Sequence, residues 1–219
     1  MNPTSKKVIA IAASVAILAV AYYGSYLPLR KTQMFIATLQ GLQTTPPMSL
    51  ADLETRLSIP LNYPSPIGQE ELVRNTANSI LNFVQQSPNA SSTIDLVNFL
   101  MSYYEPILSR GRGMSFGQDL YLVGAIDEVG FARTGDPALL AAAQQIYEEA
   151  NQLGPNRPQP LYGLFDVYRA EGNVESTTAV AETIEKNWPS DTTVPTALQT
   201  FLAQSAKAPG TATKPAAGK

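Results

Sequence analysis

From Val8 to Leu29 the chain carries no charged side chain (VIAIAASVAILAVAYYGSYLPL), whereas beyond it apolar residues return at three- and four-residue intervals. An uncharged run of this length, wound as a helix at ~1.5 Å per residue, suffices to cross a hydrocarbon core. Lys6 and Lys7 precede it, Tyr22, Tyr23 and Tyr26 lie near its far end, and Arg30 and Lys31 close it. Tyrosines in that place match the aromatic belt of a membrane interface. The competing reading is a cleavable signal peptide, with a basic Met1–Lys7, an apolar core from Val8 to about Val20, and cleavage after Ala21 in Ala19-Val20-Ala21. The uncharged stretch runs past that site to a spanning length, which favours a retained single-pass anchor. Either reading exports the rest of the chain, so the remainder is expected outside the cytoplasm. Two basic residues stand on each side, so charge asymmetry adds little to the orientation.

The pattern then becomes helical throughout. Met34, Phe35, Leu39 and Leu42 prolong the anchor helix through Lys31–Gln43, until Gly41 and Pro46-Pro47 stop it. Ser49–Leu57 reads as a short helix capped by Ser49, and Ile59–Gly68, with three prolines and a glycine, as an extended connector. Gln69–Gln86 is amphipathic, with Leu72, Thr76, Ile80, Phe83 and Val84 on one face, and Ser87-Pro88-Asn89 ends it. Thr93–Ser109 turns Leu96, Phe99, Leu100, Tyr103 and Tyr104 inward, and Pro106 kinks or ends it. A glycine-rich loop (Ser109–Gly117) leads to two helix pairs and a short amphipathic piece near Val194–Ala203. The tail from Ala206 to Lys219 has the composition of a disordered segment.

The two helix pairs repeat. Pro155 and Pro189 are 34 residues apart, the length of a tetratricopeptide unit, and at that offset Ala143, Tyr147 and Ala150 meet Thr177, Ala181 and Ile184. Gly135 and Gly172 turn the first helix of each pair into the second, 37 residues apart, so the first unit is three residues longer after its turn. Each unit reads helix, Gly-Asp/Asn turn, helix, Pro stop, over Asp119–Pro155 and Pro160–Pro189. Such hairpins cannot bury their apolar faces alone, so Leu161, Leu164, Phe165 and Tyr168 are expected against Ile146, Tyr147 and Ala150, with small Ala141–Ala143 allowing close approach. The large aromatic expected early in each first helix is replaced by Gly124 and Leu161, which makes both units degenerate. The expected fold is all-α: a transmembrane helix followed by a tetratricopeptide-like α-solenoid. Its segments would be anchor 1–29, extension and connector 30–68, helical hairpin and Arg/Gly loop 69–118, repeats 119–204 and tail 205–219.

Composition narrows the chemistry. The chain has no cysteine and no histidine, which removes thiol nucleophiles, imidazole acid–base work and the usual zinc ligand sets. A net charge of −3 gives no basic stripe for nucleic acid, and no cofactor or metal is expected. The candidates that remain are for binding. Arg110 and Arg112, in RGRG, can grip a phosphate or acidic glycan, although a solvated loop explains them as well. Tyr121, Tyr162 and Tyr168, with Tyr103 and Tyr104, either line a groove or fill the core. Gly111, Gly113 and Gly117 lack the strand and Lys-Ser/Thr of a phosphate cradle. Asp127-Glu128 and Glu148-Glu149 are adjacent pairs that do not face each other on a helix, and both read as solvated. From Asp136 to Asp191 nine acidic residues stand against Arg157, Arg169 and Lys186, which favours a basic or neutral peptide partner over a phosphorylated glycan.

The stretches AYYGSYLPLRKTQ, IGQEELVRN and TGDPALLAAAQQIYEEANQLGPNRPQPLYGLFDVYRAEGN, in that order, resemble the C-terminal part of O-antigen ligase/polymerase-like bacterial membrane proteins over most of residues 8–190. Those proteins carry repeats behind their final span. The many-spanning catalytic part has no counterpart here, so the resemblance carries over no catalytic residue. It implies an exported, tethered repeat module of a cell-envelope glycan system, standing alone or belonging to a longer gene. The expected role is non-enzymatic: residues 8–29 meet membrane lipid, and the repeats hold a protein partner in the membrane or envelope. An accessory subunit of a glycosyl-transferring enzyme is the alternative.

Overall fold

The structure is a computed structural model describing residues 2–45, 49–86, 90–113 and 115–207. The expected stops at Pro46-Pro47 and Ser87-Pro88-Asn89, and the tail beyond residue 207, lie outside the described residues. Among those described there is no strand. The helices are α1 (Pro3–Ala21), a π-turn (Tyr22–Tyr26), α2 (Leu27–Thr44), α3 (Leu50–Asn62), α4 (Gln69–Gln86), α5 (Ala90–Leu108), α6 (Phe116–Thr134), α7 (Pro137–Leu153), α8 (Pro158–Glu171), α9 (Val174–Asn187) and α10 (Thr193–Ser205). They form two compact units, Met1–Met114 and Ser115–Lys219.

In the first unit α1, the π-turn and α2 run as one helix of 42 residues, Pro3–Thr44, long and apolar enough to cross a membrane. Val8, Ile11, Ile17, Leu18 and Val20 are each at least 60% exposed, and no residue of α1 is buried. Against water each such side chain would forgo about 1.5–3 kcal/mol of burial; against lipid it forgoes nothing. The π-turn has a cause in Pro28, which brings no N–H and whose ring would strike the Gly24 carbonyl of a regular helix. The chain widens by one residue instead, and the Leu27 N–H donates to the Tyr22 carbonyl. Tyr22 stacks on Tyr26, ring centroids 5.6 Å apart.

Lys31 is not the free flanking charge that its position suggested. It is 2% exposed, and its Nζ donates to the carbonyls of Tyr63 (2.9 Å) and Leu61 (3.4 Å) and to Gln69 Oε1. Those carbonyls close the C-terminal end of α3, where unpaired acceptors and the negative pole of the helix favour a cation. The clamp fastens α2 to the start of α4.

The extended connector expected at Ile59–Gly68 begins later, since α3 continues through Pro60 to Asn62. Leu53, Leu57 and Leu61 are each at most 4% exposed on one face. Their burial outweighs the single hydrogen bond that Pro60 denies near the helix end. Pro106 likewise falls two residues before α5 ends at Leu108. Leu72, Thr76, Ile80 and Val84 of α4 are buried as read, and so are Leu96, Leu100 and Tyr104 of α5. Phe99 and Tyr103 are only half-buried, and the Tyr103 hydroxyl donates to Asn62 Oδ1 at 3.2 Å.

In the second unit each helix packs on its successor from α6 to α10, and α6 also packs on α8. α6 starts three residues before the expected Asp119. Gly135 and Gly172 adopt left-handed φ values of 72° and 73°, so a side chain there would be strained and the chain reverses as expected. The Asp136 carboxylate accepts from the Ala138 N–H (2.9 Å) to cap α7, and Asn173 caps α9 through the Ser176 N–H (3.0 Å). Two cores result. Leu140, Ala143, Tyr147, Leu164 and Val167 make one; Leu161, Phe165, Ala181, Ile184 and Val194 make the other. Leu164 and Tyr168 thus meet Tyr147 as expected, whereas Leu161 and Phe165 join the core of α9 and α10. Gly124, where the repeat pattern expects a large aromatic, has a different use. A Cβ there would lie 2.5 Å from the Tyr147 ring, and one on Gly163 of α8 would lie 2.4 Å from it. The two glycines are the seat of a ring that is 1% exposed.

Alanine in place of glycine inside a helix ordinarily gains about 0.5–1 kcal/mol. Gly163→Ala and Gly124→Ala should instead lower stability by about 1–3 kcal/mol, as overpacking does. Gly41→Ala, with open space at its Cβ, should be neutral or slightly stabilising. Thermal melting followed by far-UV circular dichroism checks all three, and an unchanged melting point for Gly163→Ala would refute the tight seat. Lys31→Met keeps the stem and removes a charged donor worth about 1.5–3 kcal/mol. Proteinase K should then cut between Tyr63 and Gly68 roughly ten times faster; an unaltered rate would remove the clamp.

Candidate functional site

Arg110 and Arg112 follow α5 in the first unit. Arg110 is half-exposed and its Nη2 lies 3.3 Å from Glu70 Oε2 at the start of α4, so its charge is already met. Arg112 is exposed. The three tyrosines belong to the second unit and do not form one row. Tyr121 and Tyr168 pack against the core of Tyr147, whereas Tyr162 packs in the other core beside Trp188. The Tyr162 hydroxyl donates to Asp191, and the Tyr168 hydroxyl donates to Glu148 Oε1 at 3.1 Å.

What the second unit does hold is an open cavity of about 410 Å³ where the first turns of α6 and α8 meet, lined by Gly117, Gln118, Tyr121, Arg157, Gln159 and Pro160. Arg157 enters it by lying across two glycines. A Cβ on Gly154 would be 2.8 Å from its Cδ, and one on Gly117 would be 2.6 Å from its Nη1. No hydrogen bond or ion pair engages this guanidinium among the described residues. Reading the sequence missed it, counting Arg157 only towards net charge. The available signal was the pair of glycines that leave room for its stem and its guanidinium, and nothing in their spacing reveals that they converge.

Further along α6 and α8 the charge changes sign. Glu128 accepts from the Tyr147 hydroxyl at 2.9 Å. Burial pushes the Glu128 carboxyl up to about 7; the tyrosine hydrogen bond opposes this and nearby Asp166 adds to it. Burial, then Glu128 and Asp166, also raise Tyr121. Asp166 is paired with Arg169 at 2.9 Å. The solvated reading of Asp127-Glu128 is thus overturned: Asp127 is 6% exposed, and burial pushes its carboxyl up to about 7. Helix geometry still points the two apart, and Asp127 is buried while Glu128 is half-buried. Glu149 is exposed as expected, while Glu148 is half-buried and accepts from Gln144 Nε2 at 2.8 Å.

The first unit has its own cavity, of about 570 Å³, with Phe35, Ile36 and Leu39 of α2 facing Asn75, Ser79 and Asn82 of α4. Among the described residues no cluster of acidic side chains is arranged to hold a metal ion. A site of the second unit's make-up is suited to binding: it offers a guanidinium, two amides and a phenol in one cleft, with carboxylates beside it. The chain matches no protein-family model, no curated protein and no solved structure.

Asp127 and Glu128 set a pH dependence. Each carboxyl titrates in the folded chain near 7, against 3.8 and 4.5 when unperturbed. The folded state therefore holds protons that the unfolded state has released. This contribution is full below about pH 4 and is lost as pH rises through 7, at ~1.4 kcal/mol for each tenfold difference in proton affinity between the two states. The chain should melt several degrees higher at pH 5 than at pH 8. Asp127→Asn with Glu128→Gln should flatten that slope and raise the pH 8 melting point; a slope that survives both substitutions would refute the assignment.

Proposed function

We propose that this chain is a single-pass membrane protein whose exported part is a tetratricopeptide-like α-solenoid, and that it acts as an interaction or scaffold module for another protein of the membrane or envelope. The observation that carries this reading is the packing of α6 on both α7 and α8, with Tyr147 seated between Gly124 and Gly163. Helices that lock in this way bury one face on the next hairpin and leave the facing sides of α6 and α8 as a concave strip, the part of a solenoid that takes a ligand. The cavity between the first turns of α6 and α8 lies on that strip. The 34-residue offset of Pro155 and Pro189 supports the same arrangement. The absence of cysteine and histidine leaves no nucleophile–base pair of the common kinds, and the reading includes no catalytic role. The resemblance to O-antigen ligase/polymerase-like proteins points to a partner in a bacterial cell-envelope glycan system. The alternative, a glycosyl-transfer accessory subunit touching glycan through Arg110 and Arg112, is weakened by the hold of Glu70 on Arg110.

The chain offers a clean test because it has no native cysteine. Gln152→Cys, on the exposed end of α7, should react with a membrane-impermeant maleimide on intact cells, or on spheroplasts where an outer membrane intervenes. Labelling only after lysis would reject export. A photo-crosslinking side chain at Gln118 should then trap one discrete protein from native membranes. Crosslinks to lipid alone, or none at all, would reject the interaction reading.

A further inference from the structure

Arg157 and the carboxylates beside Tyr121 face the same pair of helices. Gly117, Tyr121 and Glu128 share one face of α6, with Glu128 seven residues beyond Tyr121; Asp166 stands seven residues beyond Gln159 on α8. Seven residues are two helical turns, about 10 Å. Among the described residues, no side chain neutralises the guanidinium in the cavity at the first turns of α6 and α8, and two turns along both helices lies an acidic patch. In that patch Arg169 answers Asp166, and Glu128 has the Tyr147 hydroxyl. The N-terminal poles of both helices add positive potential at the cavity end. Tyr121 lines the cavity and feels the charge of Glu128 and Asp166, so one aromatic surface joins the two ends.

A purely acidic ligand would be repelled at one end and a purely basic one at the other. We propose that the α6–α8 strip binds a peptide segment of mixed charge, its carboxylate on Arg157 with Gln118 and Gln159, its ammonium or guanidinium on Glu128 and Asp166, and its backbone over Tyr121. Residues three apart in a polyproline II segment lie on the same side of the chain, about 9 Å apart, which matches the spacing of the two ends. The partner carries an acidic and a basic side chain at that interval, in an extended tail of polyproline II conformation. This rests on the interaction reading and gives it a ligand chemistry. It differs from the net-charge expectation of a basic or neutral partner, because an unanswered cation lies inside the cleft.

The test uses the full chain in detergent micelles and fluorescein-labelled eight-residue peptides, followed by anisotropy at low salt. One peptide carries Asp and Arg three apart; the others replace Asp, Arg or both with Ser. The mixed peptide should bind at least tenfold more tightly than any other. Arg157→Gln should bring it level with the Arg-only peptide. Glu128→Gln with Asp166→Asn should bring it level with the Asp-only peptide, and Gln at 128 still accepts from Tyr147, so the fold is kept. As a check independent of folding losses, Arg157→Glu should bind a peptide with two Arg three apart better than the mixed one. Equal binding of all peptides, no binding, or a preference untouched by these variants would overturn the proposal. A discrete partner trapped at Gln118 whose yield ignores the charge variants would overturn it too, while leaving the interaction reading in place; failure to trap any partner would reject that reading instead.

Discussion

The second unit is organised around one aromatic ring with no room on either side. Tyr147 lies where α6, α7 and α8 come together, and each neighbouring helix offers a glycine to its face. A large side chain between two helices normally holds them apart; here the missing Cβ atoms let both close on the ring, and packing density is recovered from its flat surfaces. The contact of α6 with α8, two helices apart in sequence, is a consequence. So is the position of Glu128, since the part-buried Tyr147 hydroxyl needs an acceptor and the carboxylate supplies it. The cleft above Tyr121 exists because the helices on either side of it are fixed at that separation.

The first unit answers a different constraint, that of one long helix whose side chains change from uncharged to mixed along its length. Its surface is uncharged from Val8 to Leu29 and becomes mixed from Arg30, and the π-turn at Tyr22–Tyr26 lies just before that change. A widened turn rotates everything after it relative to a regular helix. Leu27, Lys31 and Phe35, four apart, then fall on one side and are buried, while Leu29, Arg30 and Ile36 stay exposed. Pro28 thus has a structural reason to stand where a proline is usually excluded. The Lys31 clamp ties the C-terminal end of α3 to α2.

How far the sequence discloses this depends on the range of the interaction concerned. Period, caps and turn glycines are local, and the helices with their reversals at Gly135 and Gly172 are legible from them. The strict reading of proline is where local rules mislead. Pro60 and Pro106 each lie within the last turns of a helix, where one missing hydrogen bond is small beside the leucines buried nearby. The site was much less legible. Arg110 and Arg112 attract notice as a cluster, yet Glu70, forty residues earlier, meets one of them. Arg157 has no cluster around it in sequence, and its importance comes from Gly117 and Gly154, which are 37 residues apart and meet only in the fold. Burial of Asp127 and Glu128 is equally a tertiary fact, because nothing in an adjacent acidic pair tells which helices will cover it.

Those two carboxyls also bear on what the second unit is built to do. A helical stack selected for stability alone has no use for acids desolvated until they titrate near 7, when a leucine or glutamine would serve the packing at lower cost. Asp127 carries that cost within α6. Glu128 carries it beside an aromatic surface and a cleft that ends in an unanswered guanidinium. Structural need explains part of Glu128, since Tyr147 requires an acceptor; a glutamine oxygen would meet it without a charge. What a carboxylate adds over an amide is attraction for a cation, strongest where water is scarce. Arg157 shows the same excess in the opposite sign, for its stem lies over Gly154 and its guanidinium over Gly117, and its charge meets no partner among the described residues. Charge retained at both ends of one strip, beyond what the fold requires, is the ground on which the proposed binding of a partner there rests.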